Sequence, residues 1–116
     1  MVMELRQTKD LEQLLDGSKT DPVLIFKHST QCPISGAAYE EFERFVQTAG
    51  EVPCGLVLVI ENRDVSDAVA ARLGVPHESP QAIVVMDGQP AWTASHWSIT
   101  EDSLSEALRD AKSAHQ

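Results

Sequence analysis

Three short, unbroken apolar runs frame this chain: Val23-Leu24-Ile25-Phe26, Leu56-Val57-Leu58-Val59-Ile60 and Ala82-Ile83-Val84-Val85-Met86. A strand with one wet face alternates apolar and polar residues. Runs without a polar break belong to strands covered on both faces. Helical stripes lie between and around them. Thr8 to Asp16 carries Leu11, Leu14 and Leu15 at helical spacing, with Thr8 as cap and Gly17 as stop. Ile34, Ala38, Phe42, Phe45 and Val46 form a second stripe, with Glu40, Glu41, Glu43 and Arg44 opposite. Val65, Ala68, Val69 and Leu73 form a third, closed by Gly74 and Pro76. Asp87-Gly88 signals a hairpin, so Ala91 to Ser95 reads as a returning strand. Thr100 caps a last helix with Leu104, Ala107, Leu108 and Ala111 inward.

The order is therefore helix, strand, helix, strand, helix, strand, strand, helix. A βαβ unit puts its two strands parallel, and the hairpin puts its two antiparallel. A four-stranded mixed sheet flanked by helices satisfies this order. A thioredoxin-like fold ends in this way, and other α/β sandwiches share parts of it. With 116 residues, a single domain over 1–116 is expected. No apolar run approaches the roughly 20 residues of a spanning helix, and Met1 to Arg6 lacks the layout of a secretory signal. A cytoplasmic protein is expected. The net charge of −9 and the absence of a basic run disfavour nucleic acid and anionic membrane as partners. Two cysteines are too few for a disulfide scaffold or a four-thiolate zinc site.

Chemistry concentrates at Cys32-Pro33-Ile34-Ser35, where a strand ends and a helix begins. Pro33 suits the first helical position, because its missing N–H has no partner to lose there. Cys32 then caps the helix, where free backbone N–H groups and the positive helix end favour a thiolate. No Asp or Glu occurs from Pro22 to Tyr39, whereas Lys27 and His28 do. Lys27, His28 and Thr30 thus join Pro33, Ile34 and Ser35 as residues expected to favour the thiolate, Ser35 by a hydrogen bond to the sulfur. A buried, inert cysteine is the plainer alternative. Ser35 stands where a dithiol site has its second cysteine, so Cys32 forms disulfides only with other molecules. Cys54 precedes the second strand and Cys32 follows the first, so parallel strands separate them far beyond the roughly 7 Å that a disulfide allows. Cys54 is expected to be structural or incidental.

The topology gathers further residues at the Cys32 edge: Glu61-Asn62-Arg63, His77 to Pro80 and Ser95-His96-Trp97. Pro80 precedes the third strand, where a thioredoxin-like fold has a cis proline facing the cysteine. Ser79 could offer backbone hydrogen bonds to an extended thiol-bearing substrate. His28, His77 and His96 come from separate loops without short ligand spacing, so no metal is expected. Trp97 could wall a pocket, and Arg63 could meet a substrate carboxylate. Packing and solvated charge are their ordinary roles.

The segments Phe26 to Ser35, His77 to Gln81 and Ala94 to Trp97 together resemble the YtxJ-type monothiol bacilliredoxins. The likeness runs from about Glu4 to Ala111. It implies a thioredoxin-like fold, a reactive Cys32 and a cis Pro80. It further implies bacillithiol as co-substrate, a small thiol built from cysteine, glucosamine and malate, and no tightly bound cofactor. The implied partners are S-bacillithiolated proteins, whose cap Cys32 would remove. Ser79, Pro80, Arg63, His77, His96 and Trp97 are the expected substrate contacts. Two other functions compete: an iron-sulfur carrier of the monothiol-glutaredoxin type, disfavoured by Pro33-Ile34 in place of Gly-Phe, and a redox-inert interaction module.

Overall fold

The computed structural model describes residues 2–115. Five strands, four α-helices and one short 3₁₀ turn follow in the order β1 (Val2–Glu4), α1 (Thr8–Gly17), β2 (Val23–His28), α2 (Pro33–Ala49), β3 (Cys54–Leu58), α3 (Arg63–Leu73), β4 (Gln81–Met86), β5 (Gln89–Ser95), the turn His96–Ser98, and α4 (Glu101–His115). The sheet order is β1-β3-β2-β4-β5. β1, β3 and β2 run parallel, while β4 is antiparallel to both β2 and β5.

The sheet has five strands where the sequence suggests four. The additional strand, β1, is three residues long and lies at the edge beside β3. Three residues are too few to display an alternation, and only the pairing with Cys54 to Leu56 makes them a strand. Other boundaries shift by one to two residues. β3 begins at Cys54, and Gln7, not Thr8, caps α1, through a reciprocal exchange with Asp10. At α4 the expected cap holds, with the Ser103 N–H donating to Thr100 Oγ1 at 3.0 Å.

Strand alternation divides the core into two layers. Leu24, Phe26, Ala82 and Val84 face α2 and α4, against Ala38, Phe42, Phe45, Leu104 and Leu108. Val23, Ile25, Val57, Ile83 and Val85 face α1 and α3, against Leu11, Leu14, Val65 and Val69. The Phe26 and Phe42 rings stack at 4.8 Å and fix α2 on the sheet. Gly55 is required by close approach: a Cβ there would stand 2.6 Å from Leu14 Cδ2 and 2.8 Å from Leu5 Cδ1. Among the described residues no helix is long and apolar enough to cross a membrane.

Candidate functional site

Cys32 is the N-cap of α2 in an extended conformation, with Pro33 in the first turn. Its carbonyl accepts the Gly36 N–H at 3.1 Å, opening the helix, while its side chain makes no capping bond. The thiol is partly exposed. Pro33 has no N–H, so Ile34 and Ser35 carry the first-turn N–H groups that the helix itself leaves free.

Ser35 departs from the expectation. Its side chain is fully buried, and its hydroxyl accepts the Ser29 N–H at 2.8 Å and meets His28 Nδ1 at 2.8 Å. These bonds tie the helix back to the loop that precedes the cysteine, and the hydroxyl's partners are in that loop rather than at the sulfur. His28 stacks on Tyr39 at 4.6 Å. Burial lowers its pKa against the opposing charge of Glu61, so it stands here as a neutral ring rather than as a cation.

Lys27 is also displaced from its expected role. Phe26 and His28 face α2, so the pleat sends Lys27 to the opposite, α3, side. There it is fully buried, with Nζ 3.0 Å from His77 Nδ1. Burial drives the ammonium down to about 8, with Asp67 opposing. Thr30 donates to Glu61 Oε2 at 3.4 Å. The acid-free window read along the chain is therefore not acid-free in space, because the β3–α3 turn returns a carboxylate to the cysteine loop.

The expected convergence of loops does occur. Lys27 is opposite Gln81, Gln81 is opposite Ser95, and the His96 N–H donates to Pro80 O at 3.2 Å. The Ser79–Pro80 peptide bond is cis. Ser79 Oγ is buried without a hydrogen-bond partner among the described residues. His96 takes a left-handed backbone, φ 54°, at the end of β5, with Nδ1 3.8 Å from Glu78 Oε2. Trp97 is 70% exposed beside it. Arg63 is exposed at the start of α3. One member of this edge was missed from sequence. Gln81, buried beside Lys27, accepts the Glu78 N–H and donates to Pro76 O at 3.1 Å.

Cys54 lies at the far end. It pairs with Leu24, and Leu24 to His28 alone spans about 13 Å of strand. Burial pushes its thiol up to about 11.

A family model described as monothiol bacilliredoxin BrxC matches residues 3–104. The chain belongs to this family. A solved structure described as a proposed oxidoreductase with a thioredoxin fold is 34% identical, covers 91% of this chain and 92% of its own, and superposes with a TM-score of 0.83. Thioredoxin from Fasciola hepatica, 20% identical over 97% of this chain and 98% of its own, gives 0.68. Thioredoxin from Malassezia sympodialis, 18% identical over 97% and 91%, gives 0.76. The last two establish the fold alone. As a monothiol bacilliredoxin family member with a thioredoxin fold, the chain is a thiol oxidoreductase.

Proposed function

We propose that this bacilliredoxin-family chain removes bacillithiol from S-bacillithiolated proteins through Cys32 alone. One observation carries the reading: a single accessible thiol caps a helix, with no second thiol within disulfide reach. In the first step the Cys32 thiolate attacks the bacillithiol sulfur of the capped client. The client–bacillithiol disulfide breaks, the client thiolate leaves and takes up a proton, and Cys32 carries the cap. In the second step the thiolate of free bacillithiol attacks the bacillithiol sulfur on Cys32. Bacillithiol disulfide forms, and Cys32 leaves as thiolate. The free bacillithiol is the reductant: its sulfur is oxidised to disulfide level as the client sulfur returns to a thiol, and the cap's sulfur passes unchanged from one disulfide to the other. The α2 N-terminus favours negative charge on the sulfur as it attacks and as it leaves.

Ser79 and the cis Pro80, at the sheet edge that carries the Cys32 loop, would offer backbone to an extended client segment, in the manner of an added strand. Exposed Trp97 and His96 flank that segment. Arg63 is the basic group offered to the malate carboxylates of the cap. The protein acts in the cytoplasm, where such caps form on client thiols.

The test mixes reduced protein with a bacillithiolated client and follows both by intact mass spectrometry. Wild type should take up the cap and lose it on adding bacillithiol, whereas Cys32→Ser leaves the client capped. A client that keeps its cap in the presence of wild type overturns the reading.

A further inference from the structure

Lys27 and Gln81 are cross-strand partners whose side chains both lie on the α3 face of the sheet, and both are buried. Both reach the same short segment, the one that ends in the cis Ser79–Pro80 bond. Gln81 holds Pro76 O and the Glu78 N–H. Lys27 holds His77 Nδ1 at 3.0 Å, which Ser66 Oγ also approaches at 3.4 Å. A fully buried ammonium is costly to keep, and among the described residues its hydrogen bond goes to a single ring nitrogen. Nothing in the exchange at Cys32 uses that ammonium.

We propose that Lys27 and Gln81 clamp the 76–80 segment from beneath, and that the Lys27–His77 bond makes the seat of the client-binding loop depend on a neutral His77. The proposal rests on the client-docking role given above to Ser79 and Pro80. Lys27 can donate to Nδ1 only while that nitrogen is bare. A proton on Nδ1 removes the acceptor and sets a second cation 3.0 Å from the ammonium. The charged groups around the ring are Lys27 from β2, Arg63 and Asp67 from α3, and Glu78 beside it. Burial, then Lys27 and more weakly Arg63, lower the His77 pKa against Asp67 and Glu78. The ring is therefore neutral at neutral pH and the clamp is closed. Acidification below the ordinary histidine range opens it.

Lys27 and His77 are thus positioning residues, and the readout is KM for a bacillithiolated protein client set beside that for a bacillithiol–mercaptoethanol disulfide, which has no peptide chain to dock. For wild type, lowering the pH from 7.5 to 5 should raise the client KM about ten-fold, the lower range for a hydrogen bond to a charged group. KM for the small disulfide should not follow. His77→Asn keeps an acceptor at the Nδ1 position and cannot be protonated. Whatever its client KM at pH 7.5, that value should not rise on going to pH 5. Lys27→Met should show the raised client KM already at pH 7.5. An acid rise that persists in His77→Asn overturns the clamp, since His28 and His96 are intact in that variant. So does an acid rise shared equally by the small disulfide. Should Lys27→Met fail to fold, His77→Asn decides alone. Should wild type transfer no cap at any pH, the docking role fails, and amide hydrogen exchange of residues 76–80 tests the clamp itself. After correction for intrinsic rates, wild type but not His77→Asn should lose protection at pH 5, and equal protection refutes it.

Discussion

Replacing Ser35 by alanine separates two roles for the hydroxyl, and the structure assigns a magnitude to one of them. The side chain is fully buried, so the change deletes one oxygen and opens almost no cavity. The Ser29 N–H loses its acceptor, at a buried residue where water cannot readily replace it. A buried donor left unpaired costs about 1–3 kcal/mol. His28 Nδ1 loses its partner too, but that ring is only half-buried and can recover part of the bond from water. The expected loss is about 2 kcal/mol, the middle of that range. For a chain of this size the corresponding fall in Tm is about 8 °C. Urea unfolding of the reduced protein at pH 7.5 measures it directly: the midpoint should fall with the slope unchanged. Alkylation of Cys32 by iodoacetamide should proceed at nearly the wild-type rate, because the hydroxyl serves the loop. Unchanged stability with a many-fold change in alkylation would place the hydroxyl on the sulfur and refute the reasoning.

Three further outcomes follow from the geometry. Iodoacetamide at pH 8 should label Cys32 and spare Cys54, whose thiol stays protonated and buried until denaturant is added, as peptide mass mapping will show. Gly55→Ala should cost about 1–3 kcal/mol in urea unfolding, as overpacking does, because the new methyl group meets Leu14 and Leu5. Lys27→Met should be more stable than wild type at pH 7, since lowering the ammonium from 10.5 to about 8 corresponds to about 3 kcal/mol. The folded state binds fewer protons at that site, so wild-type stability from this group rises with pH between about 8 and 10.5. The variant's advantage should therefore shrink on going from pH 7 to pH 10, and an advantage independent of pH would count against a buried ammonium.

The strands, helices and gathering of loops at one sheet edge were legible in the sequence because each rests on a local pattern. Val23 to Phe26 has no polar break, Leu11, Leu14 and Leu15 repeat at helical spacing, and Asp87-Gly88 turns the chain. The cap role of Cys32 follows from Pro33 in the same way. What escaped depends on parity and on distant partners. Lys27 and His28 look alike in a string, yet the pleat sends one to each face of the sheet. Lys27 meets His77 across 50 residues and Thr30 meets Glu61 across 31, separations at which a sequence window carries no signal. Parity could have placed Lys27, since Phe26 beside it had to face the helix stripe containing Phe42. Nothing local distinguishes Val2 to Glu4 as a strand, whereas the cis Ser79–Pro80 bond was expected from its place before β4 and from the family resemblance rather than from any local pattern.

The distance between Cys32 and Cys54 reaches beyond the fold, into the way such a protein samples its surroundings. A protein that closes an internal disulfide releases two small thiols for each small disulfide consumed, so its ratio of oxidised to reduced form follows the disulfide concentration over the square of the thiol concentration. A protein with one usable thiol exchanges a single small thiol for a single small disulfide. Its capped fraction then follows the plain ratio of the two, and doubling both concentrations changes nothing. On the proposed mechanism, keeping the second cysteine at the other end of the sheet makes this chain respond to the oxidation state of the thiol pool and not to the pool's size.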